Sequence, residues 1–173
     1  NPRMTIQKTL EEPLRFHFPE MKNGEVHDKV EEVMTSVGND PAWGTRYPHE
    51  FSGGQRQRIS IARALMVDPD FVVADEPISA LDVSIQAQVL NVMMDARDMR
   101  DLTYLFITHD LATVKAIADE IVVMLEGRVV EFGPKAEVLR PPHHEYTELL
   151  LSSVPEMDPD WLEGLLESRD AAP

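Results

Sequence analysis

Two adjacent carboxylates, Asp75 and Glu76, directly follow a short apolar run from Phe71 to Ala74. The run shows no polar alternation, so it predicts a strand that is buried on both faces, as in a parallel sheet. Ligands of open α/β folds bind beyond the carboxyl ends of such strands. Asp75 is therefore a candidate magnesium ligand, and Glu76 is a candidate for orienting or deprotonating an attacking water. The alternative is a solvated acidic turn, which Pro77 and the turn after it make less favoured.

A second candidate site is Ser52-Gly53-Gly54, which immediately precedes a stretch with helical periodicity. The apolar residues of this stretch share one helix face: Ile59, Ala62, Leu65 and Met66. The two glycines therefore stand at a helix N-terminus, where backbone N–H groups and the helix dipole favour an anion. Glycine also lets a phosphate approach the backbone closely. Taken alone, however, the segment is better explained as a serine N-cap followed by a flexible turn.

Two further pieces complete an ordered set between residues 51 and 110. The run from Thr103 to Ile107 predicts a second short strand, and His109 stands just past its end. A neutral imidazole at this place could contact a γ-phosphate or an attacking water, although a single histidine after a strand is more often structural. The turn from Ser79 to Asp82 lies between the two strands. The order and short spacing of the four pieces favour the functional interpretation.

Together the four pieces resemble the signature motif, Walker B motif, D-loop and switch histidine of an ABC transporter ATPase subunit. The runs from Arg46 to Ile59 and from Ser79 to Leu90 are similar to the dipeptide and oligopeptide importer branch. Ile78 departs from the pattern, since the family more often has threonine there. The resemblance extends over nearly the whole chain. It implies an α/β fold, namely a P-loop ABC ATPase core with a mostly parallel sheet and a helical subdomain.

The resemblance also implies a role for each site residue. In this family two ATPase subunits pair head to tail, and each ATP lies between them. Glu76 and His109 would be catalytic and Asp75 would hold magnesium, all acting on the subunit's own nucleotide. The residues that would bind nucleotide from across the interface are Ser52, Gly53, Gly54, Gln55 and Asp82. Asp82 would also couple the two sites. ATP and Mg²⁺ are the implied cofactors.

The implied partners are a second ATPase subunit, identical or not, the transmembrane permease subunits and, indirectly, an extracytoplasmic substrate-binding protein. The chain would then lie at the cytoplasmic face of the membrane and couple ATP hydrolysis to the import of peptides or related small solutes. The composition fits this location, because no apolar run is long enough to span a bilayer and attachment would come through a partner. The net charge of −15 makes a nucleic-acid surface unfavourable.

One family motif is absent. The Walker A loop reads G-x-x-x-x-G-K-[ST], but none of the eight glycines here is followed by lysine. By resemblance, the Q-loop glutamine would also come before the first residue. We therefore expect a C-terminal fragment of an ATPase subunit that is inactive alone. A degenerate enzyme is the alternative, and the intact downstream motifs argue against it.

The chain divides into three predicted segments. Residues 1–50 would form part of the helical subdomain, 51–140 the C-terminal half of the ATPase core, and 141–173 an extension of the peptide-importer type. Local patterns predict a helix over Ile6 to Phe18 that Pro13 ends or kinks, and a tight turn at Glu126-Gly127 between two strands. The second of these strands would run from Arg128 to Phe132 and be broken by Gly133-Pro134. Between the two apolar strands, a further helical stripe is predicted: Ile85, Val89, Val92, Met93 and Ala96. A second helix, capped by Gly38, carries an apolar stripe: Val26, Val30, Val33, Met34 and Val37. The paired His143-His144 indicates a metal only weakly and is better explained as a helix start.

Two alternatives stay open at this point. A soluble ABC ATPase of DNA repair or translation is disfavoured by the acidic charge, by the lack of a coiled-coil arm at the signature and by the importer-type extension. A non-catalytic regulatory module is disfavoured for the parent protein by Asp75, Glu76 and His109. The five lysines against 31 acidic residues fit either a high-salt cytoplasm or an ordinary acidic protein. The absence of cysteine excludes a disulfide scaffold.

Overall fold

The structure, a computed structural model, describes residues 2–153. Helices predominate in this part of the chain, together with two small two-stranded sheets. The elements in chain order are α1 (Ile6–His17), α2 (Asn23–Ser36), two 3-10 turns (Pro41–Thr45 and Pro48–Glu50), α3 (Gly53–Leu65), β1 (Phe71–Asp75), α4 (Val83–Arg100), β2 (Thr103–Ile107), α5 (Leu111–Ile117), β3 (Glu120–Leu125), β4 (Arg128–Pro134), α6 (Lys135–Val138) and α7 (Glu145–Ser152). The chain forms two compact units, the first ending at Ile107 and the second beginning at Thr108.

Helix α1 runs through Pro13, which we expected to end or kink it. The helix continues for another turn to His17, so the expected end at Pro13 is wrong. An interior proline costs about 3 kcal/mol, whereas full burial of one large aliphatic side chain contributes about 1.5–3 kcal/mol. Ile6, Leu10 and Leu14 are all buried on one face of α1. Their packing on both sides of the proline outweighs the lost hydrogen bond.

Helix α2 ends as its sequence predicts. Gly38 has φ 70°, a left-handed conformation that glycine adopts without strain. The N–H of Gly38 donates to the Thr35 carbonyl and the N–H of Asn39 donates to the Met34 carbonyl, both at 2.9 Å, which is the Schellman pattern. The predicted stripe of α2, from Val26 to Val37, is buried along its whole length. This helix therefore packs into the first unit by the face that the periodicity predicted.

Strands β1 and β2 pair in parallel with matching ends, Phe71 opposite Thr103 and Asp75 opposite Ile107. Both strands are where the apolar runs predicted them. The predicted burial on both faces is wrong, because one face of this pair is open. The apolar residues on that face are 45–57% exposed: Phe71, Val73, Leu105 and Ile107. A parallel sheet is covered on both sides by the elements that connect its strands, and within the described residues this face has no such cover.

Helices α3 and α4 pack against each other and contribute much of the core of the first unit. All four residues of the predicted α3 face, from Ile59 to Met66, are buried. On α4, Val89, Met93 and Ala96 are buried, while Ile85 and Val92 are half-buried. The α4 stripe is therefore confirmed in its middle and less buried at its first turn. That first turn lies beside the start of α3, as described below.

The second unit is built on the β3–β4 hairpin. Its two-residue turn has positive φ at both Glu126 (49°) and Gly127 (76°), as a type I′ turn requires. We expected Gly133-Pro134 to break the second strand, but β4 continues to Pro134, which lies opposite Glu120. Strand β4 has a partner on one side only in this two-stranded sheet, and a proline is tolerated on such an edge strand.

The first part of the predicted extension, which contains α7, packs on the β3–β4 hairpin. Ile121 and Val123 are buried against Val138, and Tyr146 and Leu150 of α7 pack on the same cluster. His144 is the N-cap of α7, and its Nδ1 accepts a hydrogen bond from the N–H of Tyr146 at 3.1 Å. The predicted helix start at the paired histidines is thereby confirmed. Residues 154–173, which complete the predicted extension, lie outside the described residues.

None of the helices described is both long enough and apolar enough to cross a bilayer.

Candidate functional site

The start of α3 is organised by a reciprocal capping box. Ser52 Oγ accepts from the N–H of Gln55 at 3.3 Å, and Gln55 Oε1 accepts from the N–H of Ser52 at 2.9 Å. The serine cap and the anion site are therefore compatible. The box uses the amides of Ser52 and Gln55, and the amides of Gly53 and Gly54 lie in the first turn, where helix geometry provides no acceptor. These two N–H groups stand at the positive end of the helix dipole, where an anion is favoured.

The two glycines of this segment lie against the turn that precedes α4. A Cβ added to Gly53 would stand 3.3 Å from Leu81 Cδ2. A Cβ added to Gly54 would overlap Ile85 Cγ2. Close packing is therefore a second reason for glycine here, beside the approach of a phosphate. It brings Ser52, Gly53 and Gly54 next to the segment that contains Asp82.

The turn before α4 is held by Gln86. Its Nε2 donates to the Ile78 carbonyl at 3.2 Å and to the Leu81 carbonyl at 3.0 Å. Ile78, the position that departs from the family pattern, is buried at 2% exposure and anchors the turn in the core. Asp82 is exposed and is the N-cap residue of α4, and its carbonyl accepts from the N–H of Gln86 at 2.9 Å. Asp82 is thus presented to solvent from a turn that is fixed on both sides.

Asp75 and Glu76 stand at the carboxyl end of β1, and both residues are exposed. The N–H of Glu76 donates to the Ile107 carbonyl at 2.9 Å, which extends the β1–β2 pairing by one bond. Glu76 has φ 45°, a left-handed conformation that is unfavourable for a side chain of this kind. The Ser79 hydroxyl donates to the Glu76 carbonyl at 3.2 Å. Strained backbone of this kind concentrates at functional sites.

The turn before α4, from Ser79 to Asp82, therefore joins the Ser52-Gly53-Gly54 segment to the end of β1 within the first unit. It touches the glycines of α3 through Leu81 and Ile85, and it touches the end of β1 through Ser79. His109 belongs to the second unit. It is exposed and lies between the end of β2 and α5, whose N-cap is Asp110. Asp110 accepts from the N–H of Ala112 at 3.0 Å and from the Thr113 hydroxyl at 2.6 Å, which fixes the segment just after His109.

The donor set at the end of β1 suits magnesium. A carboxylate oxygen is the hard ligand that Mg²⁺ prefers, and this ion commonly combines one or two carboxylates with phosphate oxygens and water. Asp75 offers such an oxygen at an exposed position beside Glu76. Within residues 2–153, no group of three or more His, Asp or Glu side chains is arranged to hold a metal by itself. Asp75 would therefore share the ion with a bound phosphate.

Sequence reasoning missed two residues of this region, Ile85 and Gln86, as parts of the site. The periodicity predicts Ile85 only as part of the core stripe of α4, and the sequence patterns predict no role for Gln86. The spacing of Ser52 and Gln55 is that of a capping box, a signal that the sequence did carry. No local sequence pattern predicts that the side-chain amide of Gln86 donates to the carbonyls of Ile78 and Leu81 in the preceding turn.

Comparison with known families assigns the chain. A family model described as ABC transporter matches residues 1–79, and one described as the C-terminal region of oligopeptide/dipeptide transporters matches residues 130–173. The oligopeptide transport ATP-binding protein OppF of Bacillus subtilis is 53% identical over 93% of this chain and 53% of its own length. The dipeptide transport ATP-binding protein DppF of Escherichia coli is 52% identical over 92% of this chain and 48% of its own length.

The chain matches ABC transporter ATP-binding proteins over most of its length. The expected resemblance to the ATP-binding subunits of dipeptide and oligopeptide importers is confirmed. The chain spans about half the length of the curated relatives that it matches.

Solved structures agree with this assignment. A metal-chelate type ABC transporter in an inward-facing conformation matches 87% of this chain and 59% of its own, with a TM-score of 0.73 and 26% identity. An ATP-binding cassette in a dimeric, post-hydrolysis state with bound ADP and Pi matches 78% of this chain and 58% of its own, with a TM-score of 0.67 and 26% identity. The described residues therefore form part of an ABC ATPase fold.

Proposed function

We propose that this chain forms the C-terminal half of the ATPase core of a peptide importer, and that a Walker A segment precedes it in the complete subunit. The observation that supports this most is the packing of Ser52-Gly53-Gly54 against the turn of Asp82, at the same turn that Glu76 contacts through Ser79. The open face of the β1–β2 pair is also in keeping with a mostly parallel sheet that further elements cover in the complete subunit.

In this proposal the residues divide by the nucleotide on which they act. Glu76 takes a proton from, or orients, the water that attacks the γ-phosphate. His109 contacts the γ-phosphate or that water. Asp75 would hold a magnesium ion, which would supply neutralisation of phosphate charge. Phosphoryl transfer to water requires mainly positioning and charge stabilisation, so a few well-placed groups on the chain are sufficient.

The signature segment acts on the nucleotide of a second subunit. The amides of Gly53 and Gly54 lie in the first turn of α3, where the helix provides no acceptor for them, so they would contact a phosphate that a partner brings to the helix N-terminus. Asp82 stands on the adjacent turn and would meet the same partner. The ATP-binding cassette bound to ADP and Pi is dimeric, which supports a paired arrangement for this chain as well. A head-to-tail pair contains two composite sites.

The proposed partners follow from the relatives. The relatives are named for oligopeptide and dipeptide transport, so we infer that this subunit drives a permease that imports peptides or related small solutes. Residues 1–50 would form part of the helical subdomain that docks on the permease, and residues 141–173 would form the importer extension. The subunit would thus be held at the cytoplasmic membrane face by its partners, and a substrate-binding protein would act from the other side.

The test is ATP hydrolysis by a subunit in which a Walker A segment precedes residue 1. Glu76→Gln should abolish turnover while ATP still binds, because the amide keeps the shape of the carboxylate but cannot accept a proton. Glu12→Gln is the matched control, since Glu12 is an exposed carboxylate that pairs with Arg63 at 2.8 Å. Its turnover should equal that of the wild type. Normal hydrolysis by the Glu76→Gln subunit would remove Glu76 from its proposed role.

The chain as printed provides a second test. Without the phosphate loop and its lysine it should hydrolyse no ATP and should bind ATP very weakly. Isothermal calorimetry with ATP and magnesium measures this directly. Stoichiometric binding in the micromolar range would contradict the proposal, because the cis contacts to the triphosphate would then have to come from residues 1–173.

A further inference from the structure

The position of the signature segment depends on one side chain to which the proposed function gives no role. Gly54 is buried, and the Cγ2 methyl of Ile85 occupies the place that a Cβ on Gly54 would take. Ile85 is on the first turn of α4, three residues after Asp82. We propose that Ile85 is a positioning residue, which sets where the Ser52-Gly53-Gly54 amides stand relative to Asp82. This inference rests on the proposed function, since it assigns a structural cause to the activity of that same site.

The three glycines that lie within α2 and α3, Gly24, Gly53 and Gly54, offer a natural comparison. A Cβ on Gly24 would meet nothing within 4 Å. A Cβ on Gly53 would stand 3.3 Å from Leu81 Cδ2, which is the far end of a flexible side chain and can move away. A Cβ on Gly54 would instead meet a methyl attached directly to Cβ of a β-branched residue. In a helix such a side chain has one strongly preferred χ1 rotamer, so it yields little. Only the third position is therefore tightly constrained.

A second contact keeps α3 and α4 together one turn further along. Arg58 Nη2 donates to Gln88 Oε1 at 3.0 Å, and Arg58 Nη1 donates to the Gly38 carbonyl at 3.4 Å. Helix α3 is thus joined to α4 by a polar contact at Arg58 and by steric contact at Gly54. Because both helices are fixed against each other, a shift at Ile85 changes the orientation of the α3 N-terminus. It does not act only on a local loop.

The same arrangement places the signature segment directly against the D-loop. Gln86 fixes the turn before α4, and its neighbour Ile85 contacts Gly54. The proposed function has both elements meet a partner's nucleotide, so the contact between Ile85 and Gly54 would set their relative position in the composite site.

The experiment is a suppressor series in the subunit that carries a Walker A segment. Gly54→Ala should lower kcat about tenfold, the effect expected from overpacking of this size on the active geometry. The affinity for ATP, measured by calorimetry, should be unchanged, because the subunit's own nucleotide contacts lie elsewhere. Gly24→Ala is the matched control and should leave both quantities unchanged. Ile85→Ala alone should lower kcat several-fold with the same ATP affinity.

The double variants decide the question. Gly54→Ala with Ile85→Ala should recover most of the lost kcat, since the alanine removes Cγ2. Gly54→Ala with Ile85→Val should not recover, because valine retains both γ carbons. The inference would be overturned if Ile85→Ala did not restore the kcat of the Gly54→Ala variant, or if Ile85→Ala alone had the wild-type kcat. Close approach of a phosphate would then remain as the reason for glycine at position 54. A wild-type subunit that hydrolyses no ATP would instead refute the proposed function.

Discussion

Replacing Glu76 by glycine should make the protein more stable and inactive at once. Glu76 has φ 45°, where the side chain of an L-residue crowds the following carbonyl. This conformation costs about 1–2 kcal/mol, and glycine avoids the cost. Glycine in turn gives the unfolded chain more freedom, which costs about 0.4–1 kcal/mol on folding. Counting these two backbone terms alone, the difference predicts that Glu76→Gly raises the free energy of unfolding by about 0.8 kcal/mol.

The assay is urea unfolding at pH 7, read from the midpoint with an unchanged slope. A gain of this size also corresponds to a melting temperature higher by about 2–3 °C for a chain of this length. Asp101→Gly is the matched control. Asp101 has φ 54° at the C-terminal cap of α4, outside the predicted site. Its gain should be smaller, because aspartate tolerates this conformation better than glutamate.

The functional readout separates the two variants. In the subunit with a Walker A segment, Glu76→Gly should lose turnover, while Asp101→Gly should keep it. Backbone strain is enriched at functional sites, and this outcome would show that Glu76 is a strained residue whose side chain the activity requires. The reasoning is refuted if Glu76→Gly destabilises the protein while Asp101→Gly stabilises it. Persistent turnover in Glu76→Gly would equally refute the assigned role.

Two further predictions concern stability. The Asp68 carboxylate forms ion pairs with Lys29 at 2.9 Å and with Arg100 at 2.6 Å. Asp68→Asn should therefore lower the free energy of unfolding by about 1 kcal/mol, and by less in high salt, which screens the pairs. Glu12→Gln should have almost no effect on the free energy of unfolding. Burial raises the pKa of Tyr104 above its usual 10.0, against the lowering effect of Arg100 and Arg97, and its hydroxyl has no hydrogen-bond partner in the described structure. As the pH rises, the unfolded state therefore loses the Tyr104 proton before the folded state does, so the free energy of unfolding falls from about pH 10 upward. In unfolding curves, Tyr104→Phe should make this fall at high pH smaller. It should not lower the free energy of unfolding at pH 7.

Much of the local structure could be read from the sequence because it depends on short-range rules. The stripe of α2 and its Gly38 cap, the two apolar strands and the Glu126-Gly127 turn each follow from spacing or from the backbone preferences of one residue. Those features are fixed within about one helix turn or one hairpin, so neighbours in the sequence are sufficient to specify them.

The predictions that the structure contradicts have a different physical origin. Pro13 does not end α1, because Leu10 and Leu14 bury themselves in a tertiary core that no local rule includes. The open face of β1, seen at Val73, could not be inferred from an apolar run, since such a run states a preference for burial and not the presence of a cover. For the site, residue identity and order located the motifs, whereas the contact between Gly54 and Ile85 required the packing of two helices.

The central claim is that the signature segment acts on a partner's nucleotide while Glu76 acts on the subunit's own. Mixing two inactive subunits tests this most directly, each carrying a Walker A segment: one with Ser52→Arg, the other with Glu76→Gln. In a mixed head-to-tail pair, one composite site combines the intact Glu76 of the first with the intact Ser52 of the second. ATP hydrolysis, absent from each variant alone, should therefore reappear on mixing. If the mixture stays as inactive as its components while both variants still bind ATP and form dimers, the account is contradicted.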